Sequence, residues 1–272
     1  LPEMQMHQVT FASQFWQLKQ EWLKAGKKWP PTLITVEGVS TSPATPGAVT
    51  MEEEADHTIR GVLLLAAYGV TRHLGWPTPF CCASSWGEQH YGSGMCERVP
   101  LLSPKVFYSA YATMTRQLNR MNYVKAIETG SASVFCLQFK HYKTGELLHV
   151  FWTIRGTRPV TVALEGRRQK AEGRNEDQNS LLTAHGLPLT RYDSMDNATE
   201  LTAKGGKVTF PISASPCYVR GLDADAKISL GEPNHSDSKP AKDSARLGNL
   251  GDGAWKLSTE RDEVYENVHL EF

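Results

Sequence analysis

The spacing of apolar residues changes near Met121, and this change limits the folds that the chain can adopt. Before Met121, runs with helical spacing alternate with short runs of β-branched residues. After Met121, short β-rich runs follow one another, separated by turn residues. We therefore expect an α/β part with a parallel sheet, followed by an all-β part that forms an antiparallel β-sandwich.

The first part predicts helices and strands in alternation. Strand 32–36 is nearly all apolar, which is typical of a parallel strand that is buried on both faces. Thr50 is expected to cap the helix that follows it, because its hydroxyl can accept from a free N–H group at the helix start. The predicted helices are 11–25, 50–68 and 104–120, and the predicted strands are 32–36 and 70–75.

The second part predicts short strands with turns between them. These strands are 133–139, 147–154, 160–164, 207–212 and 217–221. The charged segment 166–179 is expected to be a loop, and 231–252, rich in Ser, Pro, Asp, Gly and Lys, is expected to be a linker. The expected boundaries are 1–121 for the α/β part, 122–222 for the sandwich, and 223–272 for a linker and the start of a further, truncated β domain.

Composition and charge exclude several classes of partner. Lys plus Arg and Asp plus Glu both number 29, whereas binding to nucleic acid phosphates needs a surplus of basic residues. No apolar run approaches the roughly 20 residues that cross a bilayer, so no membrane partner is expected.

The cysteines form no CxxC pair, so no metal site is indicated. A disulfide among Cys81, Cys82 and Cys96 stays open beside the favoured alternative of free, buried thiols.

Three residues of the first part follow predicted strand ends. Glu37 directly follows strand 32–36, Trp76 follows the next strand, and His7 ends an earlier candidate strand. In a (β/α)8 barrel the catalytic residues lie at the C-terminal ends of the strands, so the three would line one cleft. Glu37 is the candidate catalytic carboxylate, and the indole of Trp76 would stack on a sugar ring. The loop after Trp76 adds further candidate binding residues with groups that could bind hydroxyls: Trp86, Glu88 and His90.

A structural role is the alternative for each of these residues. Glu37 would then cap a helix or pair with a cation, Trp76 would plug the barrel end, and His7 would be a hydrogen-bonded structural histidine. The loop with Trp86 and His90 would only cover the barrel. The apolar strand before Glu37 and the Gly- and Ser-rich loop after it favour the catalytic interpretation there.

Several segments, taken in order, resemble a clan-A glycoside hydrolase. Segments 32–38 (TLITVEG), 67–70, 74–76 and 103–108 resemble the region from the seventh strand to the last helix of its barrel. Segments 150–156, 192–197 and 208–218 resemble the β-sandwich that commonly follows such barrels. The resemblance covers roughly residues 1–222 and implies a retaining mechanism with Glu37 as the nucleophile. The acid/base glutamate of the family follows the fourth strand and would precede Leu1.

The sequence thus predicts a C-terminal fragment of a retaining glycoside hydrolase that acts on an oligo- or polysaccharide. The chain starts at Leu1 without Met and ends inside a strand-like pattern, so we expect a piece of a longer protein. The resemblance implies no cofactor and favours a secreted or periplasmic enzyme. Partners would be the carbohydrate and either an N-terminal complementing chain or further copies of itself. A non-catalytic carbohydrate-binding protein and a structural or assembly protein are the alternatives.

Overall fold

The computed structural model of the protein describes residues 11–34, 41, 49–73, 94–96, 103–131, 133–154, 156–164, 189–234, 256–259 and 268–271. For residues 11–17, 32–34 and 71–73 and for the last two of these ranges, only the backbone is described. The chain divides into two compact units, Leu1–Asn119 with Ser194–Asp196 and Arg120–Asp193 with Asn197–Phe272.

The first unit contains a parallel pair of strands joined by a helix. Its elements are α1 (Phe11–Lys24), β1 (Thr32–Ile34), α2 (Met51–Ala67), β2 (Val70–His73) and α3 (Val106–Gln117). β1 and β2 pair in parallel, and α2 lies between them in the chain. Parallel strands need such a crossover, because a tight turn only reverses the chain direction. The described part of this unit therefore has the helix–strand alternation that the sequence predicts.

Helix α2 begins where the sequence places its cap. The backbone N–H of Glu53 donates to Thr50 Oγ1 at 3.1 Å, and Glu53 Oε2 accepts from the backbone N–H of Thr50 at 2.9 Å. These two reciprocal bonds form a capping box. The helix ends before Gly69, whose φ of 86° lies in the left-handed region that favours glycine. α2 packs against α3, and the buried residues of α2 include Ala55, Ile59 and Leu63.

Within the described residues, the second unit is built from strands. They are β3 (Met121–Ala126), β4 (Val134–His141), β5 (Leu147–Thr153), β6 (Arg158–Ala163), β7 (Thr190–Tyr192), β8 (Ala198–Glu200), β9 (Lys207–Ile212), β10 (Cys217–Arg220) and β11 (Lys227–Leu230). One six-stranded sheet has the order β3-β4-β5-β10-β7-β8, and one three-stranded sheet has the order β11-β6-β9. Neighbouring strands in both sheets are antiparallel. A separate antiparallel hairpin consists of β12 (Lys256–Thr259) and β13 (Val268–Glu271).

Residues from both sheets form one hydrophobic core. β9 alternates exposed and buried residues, and its buried side belongs to this core. The ring of Phe151 on β5 meets that of Phe210 on β9 edge to face, with centroids 5.3 Å apart. The neighbours of Phe151 along β5, Val150 and Trp152, are also 0% exposed, so this strand is buried on both faces. This explains why buried apolar residues lie on both faces of β5, whereas β9 has an alternating pattern.

Some elements differ from the sequence predictions. α3 begins at Val106 rather than at residue 104, because Lys105 has the extended backbone of an N-cap residue (φ −79°, ψ 168°). The sequence does not predict β3, β7, β8 or β11. β8 is exposed along its three residues, so it carries no alternating signal. β11 extends the three-stranded sheet to Leu230, past the expected boundary at residue 222. The predicted loop 166–179 lies outside the described residues.

His149 on β5 is a fully buried histidine. Its Nε2 atom accepts from the side-chain amide of Gln138 at 2.9 Å, and the same amide donates to the carbonyl of Ala224 at 2.8 Å. An amide nitrogen only donates, so His149 Nε2 carries no proton. Burial, together with the charge of Lys125, lowers the pKa of His149 to about 4. His149 is therefore neutral at pH 7.

We expect the second unit to lose stability as the pH falls from 6.5 to 4. His149 binds a proton at about pH 6.5 when unfolded but only at about pH 4 when folded, so the unfolded state binds more protons in this window. The loss is about 3 kcal/mol. Urea unfolding between pH 4 and 8 measures it, and a His149→Leu variant should lack this slope. The matched variant His141→Leu, at the end of β4, should keep it; a slope retained in His149→Leu contradicts the prediction.

Candidate active site

The C-terminal ends of β1 and β2 lie at the same edge of the parallel pair. Ile34 pairs with His73 at this edge. Along the chain, Glu37 comes three residues after Ile34, and Trp76 comes three residues after His73. Both residues lie outside the described part of the chain, as do the other predicted site residues His7, Trp86, Glu88 and His90. The described strands end three residues before Glu37 and Trp76, and the roles of all six residues stay predictions.

A buried ion pair joins Lys105, directly before α3, to Glu54 on α2. The Lys105 ammonium donates to the two carboxylate oxygens of Glu54 at 3.1 and 3.2 Å. It also donates to Thr41 Oγ1 at 3.1 Å. The side chains of Lys105 and Glu54 are 1% and 2% exposed. This charge pair is thus removed from water and held by at least three hydrogen bonds, as a buried pair requires.

Burial dominates the electrostatics of this cluster. It raises the pKa of Glu54 to about 7, and the charge and hydrogen bonds of Lys105 act in the opposite direction. One turn further along α2, burial lowers the pKa of His57 to about 3. His57 is therefore neutral at pH 7. A carboxyl with a raised pKa marks a candidate functional site, although buried ion pairs with a structural role share this property.

A short segment of the long β2–α3 connection is fixed at the start of α3. The backbone N–H of Lys105 donates to the carbonyl of Met95 at 2.8 Å. Cys96 forms a β-bridge with Pro104, and both Met95 and Cys96 are buried. Residues 94–96 thus anchor the C-terminal end of the connection in which Trp86, Glu88 and His90 occur.

Sequence reasoning missed Glu54, Lys105 and Thr41. Glu54 stands in an acidic run at the start of α2, where acids are expected to interact with the helix dipole. A signal was present, because Glu54 falls on the helical side that also carries Thr58, Gly61 and Leu65, all of which are buried. An acid on a buried helical side requires a partner. The partner, Lys105, lies 51 residues away in the chain and has no such signal.

Within the described residues there is neither a metal site nor a membrane-spanning helix. No group of three or more His, Cys, Asp or Glu side chains in the described part of the chain could hold a metal ion. No described helix is both long and apolar enough to span a membrane. The cysteines of the described residues, Cys96, Cys136 and Cys217, are free and buried.

The second unit has an open cleft of about 560 Å³ between the end of β3 and the start of β11. Lys125 and Asp225 form an ion pair at 2.9 Å across its lining. No aromatic ring is present among its described lining residues, so it lacks the flat platform on which sugars stack. This cleft is therefore a weaker candidate for a carbohydrate site than the edge of the parallel pair.

Comparisons by sequence and by structure differ in outcome. No family profile and no curated protein matches the chain. Among solved structures, a family 39 glycoside hydrolase from Bacteroides cellulosilyticus WH2 matches 76% of this chain with a TM-score of 0.52 and 17% identity. A bifunctional glucanase-xylanase from a metagenome library matches 79% of this chain with a TM-score of 0.44 and 11% identity.

The chain spans only a part of these structures, 36% and 35% of their lengths. At such identities a likeness carries information about the fold and not about residue roles. The match to the family 39 enzyme nevertheless extends over both units, since it covers 76% of the chain. The chain therefore has a glycoside-hydrolase-like fold.

Proposed function

We propose that this chain is the C-terminal part of a retaining glycoside hydrolase that acts on an oligo- or polysaccharide, with Glu37 as the nucleophile. In this proposal the first unit supplies the last strands and helices of a (β/α)8 barrel, and the second unit is the β-sandwich that follows it. The observation that carries the proposal is the parallel β1–α2–β2 element. In barrels built from such elements, catalytic residues follow the C-terminal ends of the strands.

The mechanism has two displacements at the anomeric carbon. The Glu37 carboxylate attacks this carbon, and the glycosidic bond breaks as a second carboxyl protonates the leaving oxygen. Water then attacks the glycosyl-enzyme ester while the second carboxyl, now ionised, takes its proton. Retention needs the two carboxyls about 5–5.5 Å apart. We assign the second carboxyl to the part of the protein that precedes Leu1.

The other candidate residues have binding roles in this proposal. Trp76 follows β2 as Glu37 follows β1, and its indole would stack on the sugar ring that Glu37 attacks. His7, Trp86, Glu88 and His90 would bind hydroxyl groups or stack on neighbouring rings. The anchored segment 94–96 supports the last three roles, because a binding loop is more effective when its ends are fixed.

Covalent trapping tests the assignment of Glu37. A 2,4-dinitrophenyl 2-deoxy-2-fluoro glycoside has a leaving group that departs without a general acid, and its fluorine slows hydrolysis of the ester. We expect such a compound, chosen from a panel of sugars, to label the full-length protein once, on the peptide that contains Glu37. Peptide mass spectrometry locates the label.

The same experiment in a Glu37→Gln variant should give no label. A label on a different carboxylate, such as Glu88, overturns the assignment of the nucleophile. Absence of any label from a protein that hydrolyses the matching unfluorinated glycoside overturns the retaining mechanism.

A further inference from the structure

Lys105 connects three segments of the first unit. Residues 35–50, between β1 and α2, are called the first loop, and residues 74–104, between β2 and Lys105, the second loop. The Lys105 ammonium donates to Thr41 of the first loop and to Glu54 of α2. Its backbone N–H donates to the carbonyl of Met95 in the second loop. A single residue thus contacts both loops and the helix between the two strands.

We propose that Lys105 is a positioning residue that fixes the first loop relative to the second loop. The first loop contains Glu37, and the second contains Trp76 and Trp86. The proposal rests on the proposed function for the roles of these residues. A nucleophile and the groups that hold the sugar act on the same ring, so their relative position determines the reaction rate.

Helix capping does not explain why residue 105 is a lysine. Lys105 is the N-cap residue of α3, but its side chain forms no capping hydrogen bond. A cation is also disfavoured at a helix N-terminus, where the helix dipole is positive. Ser, Thr, Asp or Asn would stabilise the helix better at this position. The lysine therefore costs stability within α3, and the contacts of its ammonium group with Glu54 and Thr41 offset this cost.

The shape of the site suits a lysine. Its ammonium group has three N–H donors that can point in different directions, and it meets three oxygen atoms here at 3.1 to 3.2 Å. An arginine presents planar, forked donors and a larger head group, which this fully buried position cannot hold without rearrangement. We therefore expect that the arginine of Lys105→Arg does not restore the contacts that the wild-type lysine makes.

Amide hydrogen exchange of the full-length protein tests the positioning role without any substrate. Lys105→Met removes the side-chain bonds to Thr41 and Glu54 but keeps the backbone bond to Met95. We therefore expect exchange in peptides from the first loop to rise about tenfold more than in the rest of the first unit, and peptides from β4 and β5 to stay unchanged. Thr41→Val keeps the size of the side chain and removes one contact, so it should speed exchange in the first loop only. Lys24→Met, at an exposed lysine of the same unit, should change neither loop.

The outcomes separate this proposal from the proposed function. Exchange that stays unchanged, or that rises equally throughout the first unit, overturns the positioning role. If Lys105→Met does not fold, Thr41→Val decides by the same criterion. On a substrate of the wild-type enzyme, Lys105→Met should raise KM several-fold after correction for the folded fraction, whereas a purely structural role predicts an unchanged KM. Failure of covalent trapping at Glu37 combined with selective loosening of the first loop overturns the proposed function and leaves the tie between the loops supported.

Discussion

Replacement of Glu37 by Gln is expected to lower the rate of glycoside hydrolysis at least about 10⁴-fold, with sugar binding retained. The amide has the size of the carboxylate, so the shape of the cleft persists. It has no negative charge to attack the anomeric carbon, so the glycosyl-enzyme does not form. Steady-state kinetics on aryl glycosides measure the first effect, and calorimetric titration of the sugar measures the second.

Two controls make this result specific to Glu37. Glu52→Gln changes an exposed acid in the first turn of α2 and should leave hydrolysis unchanged. Azide added to a Glu37→Gly variant should attack from the vacated side and give a glycosyl azide of inverted configuration. Full activity in Glu37→Gln contradicts the nucleophile role. If the wild-type protein binds the sugar but hydrolyses no glycoside of the panel, the alternative of a non-catalytic carbohydrate-binding protein is supported.

Local patterns predicted the strongest elements of the fold. Thr50 follows a loop and precedes an acidic, helix-forming run, and it caps α2 as expected. β9 has the predicted ends because exposed and buried residues alternate along its whole length. β7 and β8 contain three residues each, and β8 buries none of them. Such strands depend on pairing with a neighbour, and a single sequence does not contain that information.

The candidate site was predictable only in part, for a similar reason. Glu37 is marked by the strand that the sequence predicts directly before it, which is a local signal. The pairing of Glu54 with Lys105 is a tertiary contact across 51 residues, and neither residue has a sequence pattern that selects the other. The position of Lys105 also hides its role from sequence analysis, because a lysine that follows Pro104 is predicted to belong to the first turn of a helix. The charged residues that support a site are therefore harder to find than those placed at strand ends.

The second large effect is expected at the Glu54–Lys105 pair. Lys105→Met should lower the free energy of unfolding by about 3–5 kcal/mol at pH 8, because it leaves a buried carboxylate without its cation. Loss of the lysine also removes what holds the pKa of Glu54 down to about 7, so this pKa rises further. When folding raises the pKa of a carboxyl group, the folded protein loses stability as the pH rises toward the folded-state pKa. The penalty should therefore be smaller at pH 5, where Glu54 is protonated and uncharged.

Urea unfolding at pH 5 and pH 8 measures this difference. The double variant Glu54→Met with Lys105→Met replaces both charges by apolar groups of similar size, and it should be more stable at pH 8 than Lys105→Met alone. Asp225→Asn breaks an exposed ion pair and should cost no more than about 1 kcal/mol at either pH. A double variant as unstable as Lys105→Met would show that the side chain of Lys105 stabilises the unit by packing rather than by neutralising Glu54. Equal losses of unfolding free energy at pH 5 and pH 8 would lead to the same conclusion. The effect of Lys105→Met depends on pH only if Glu54 ionises between these two values.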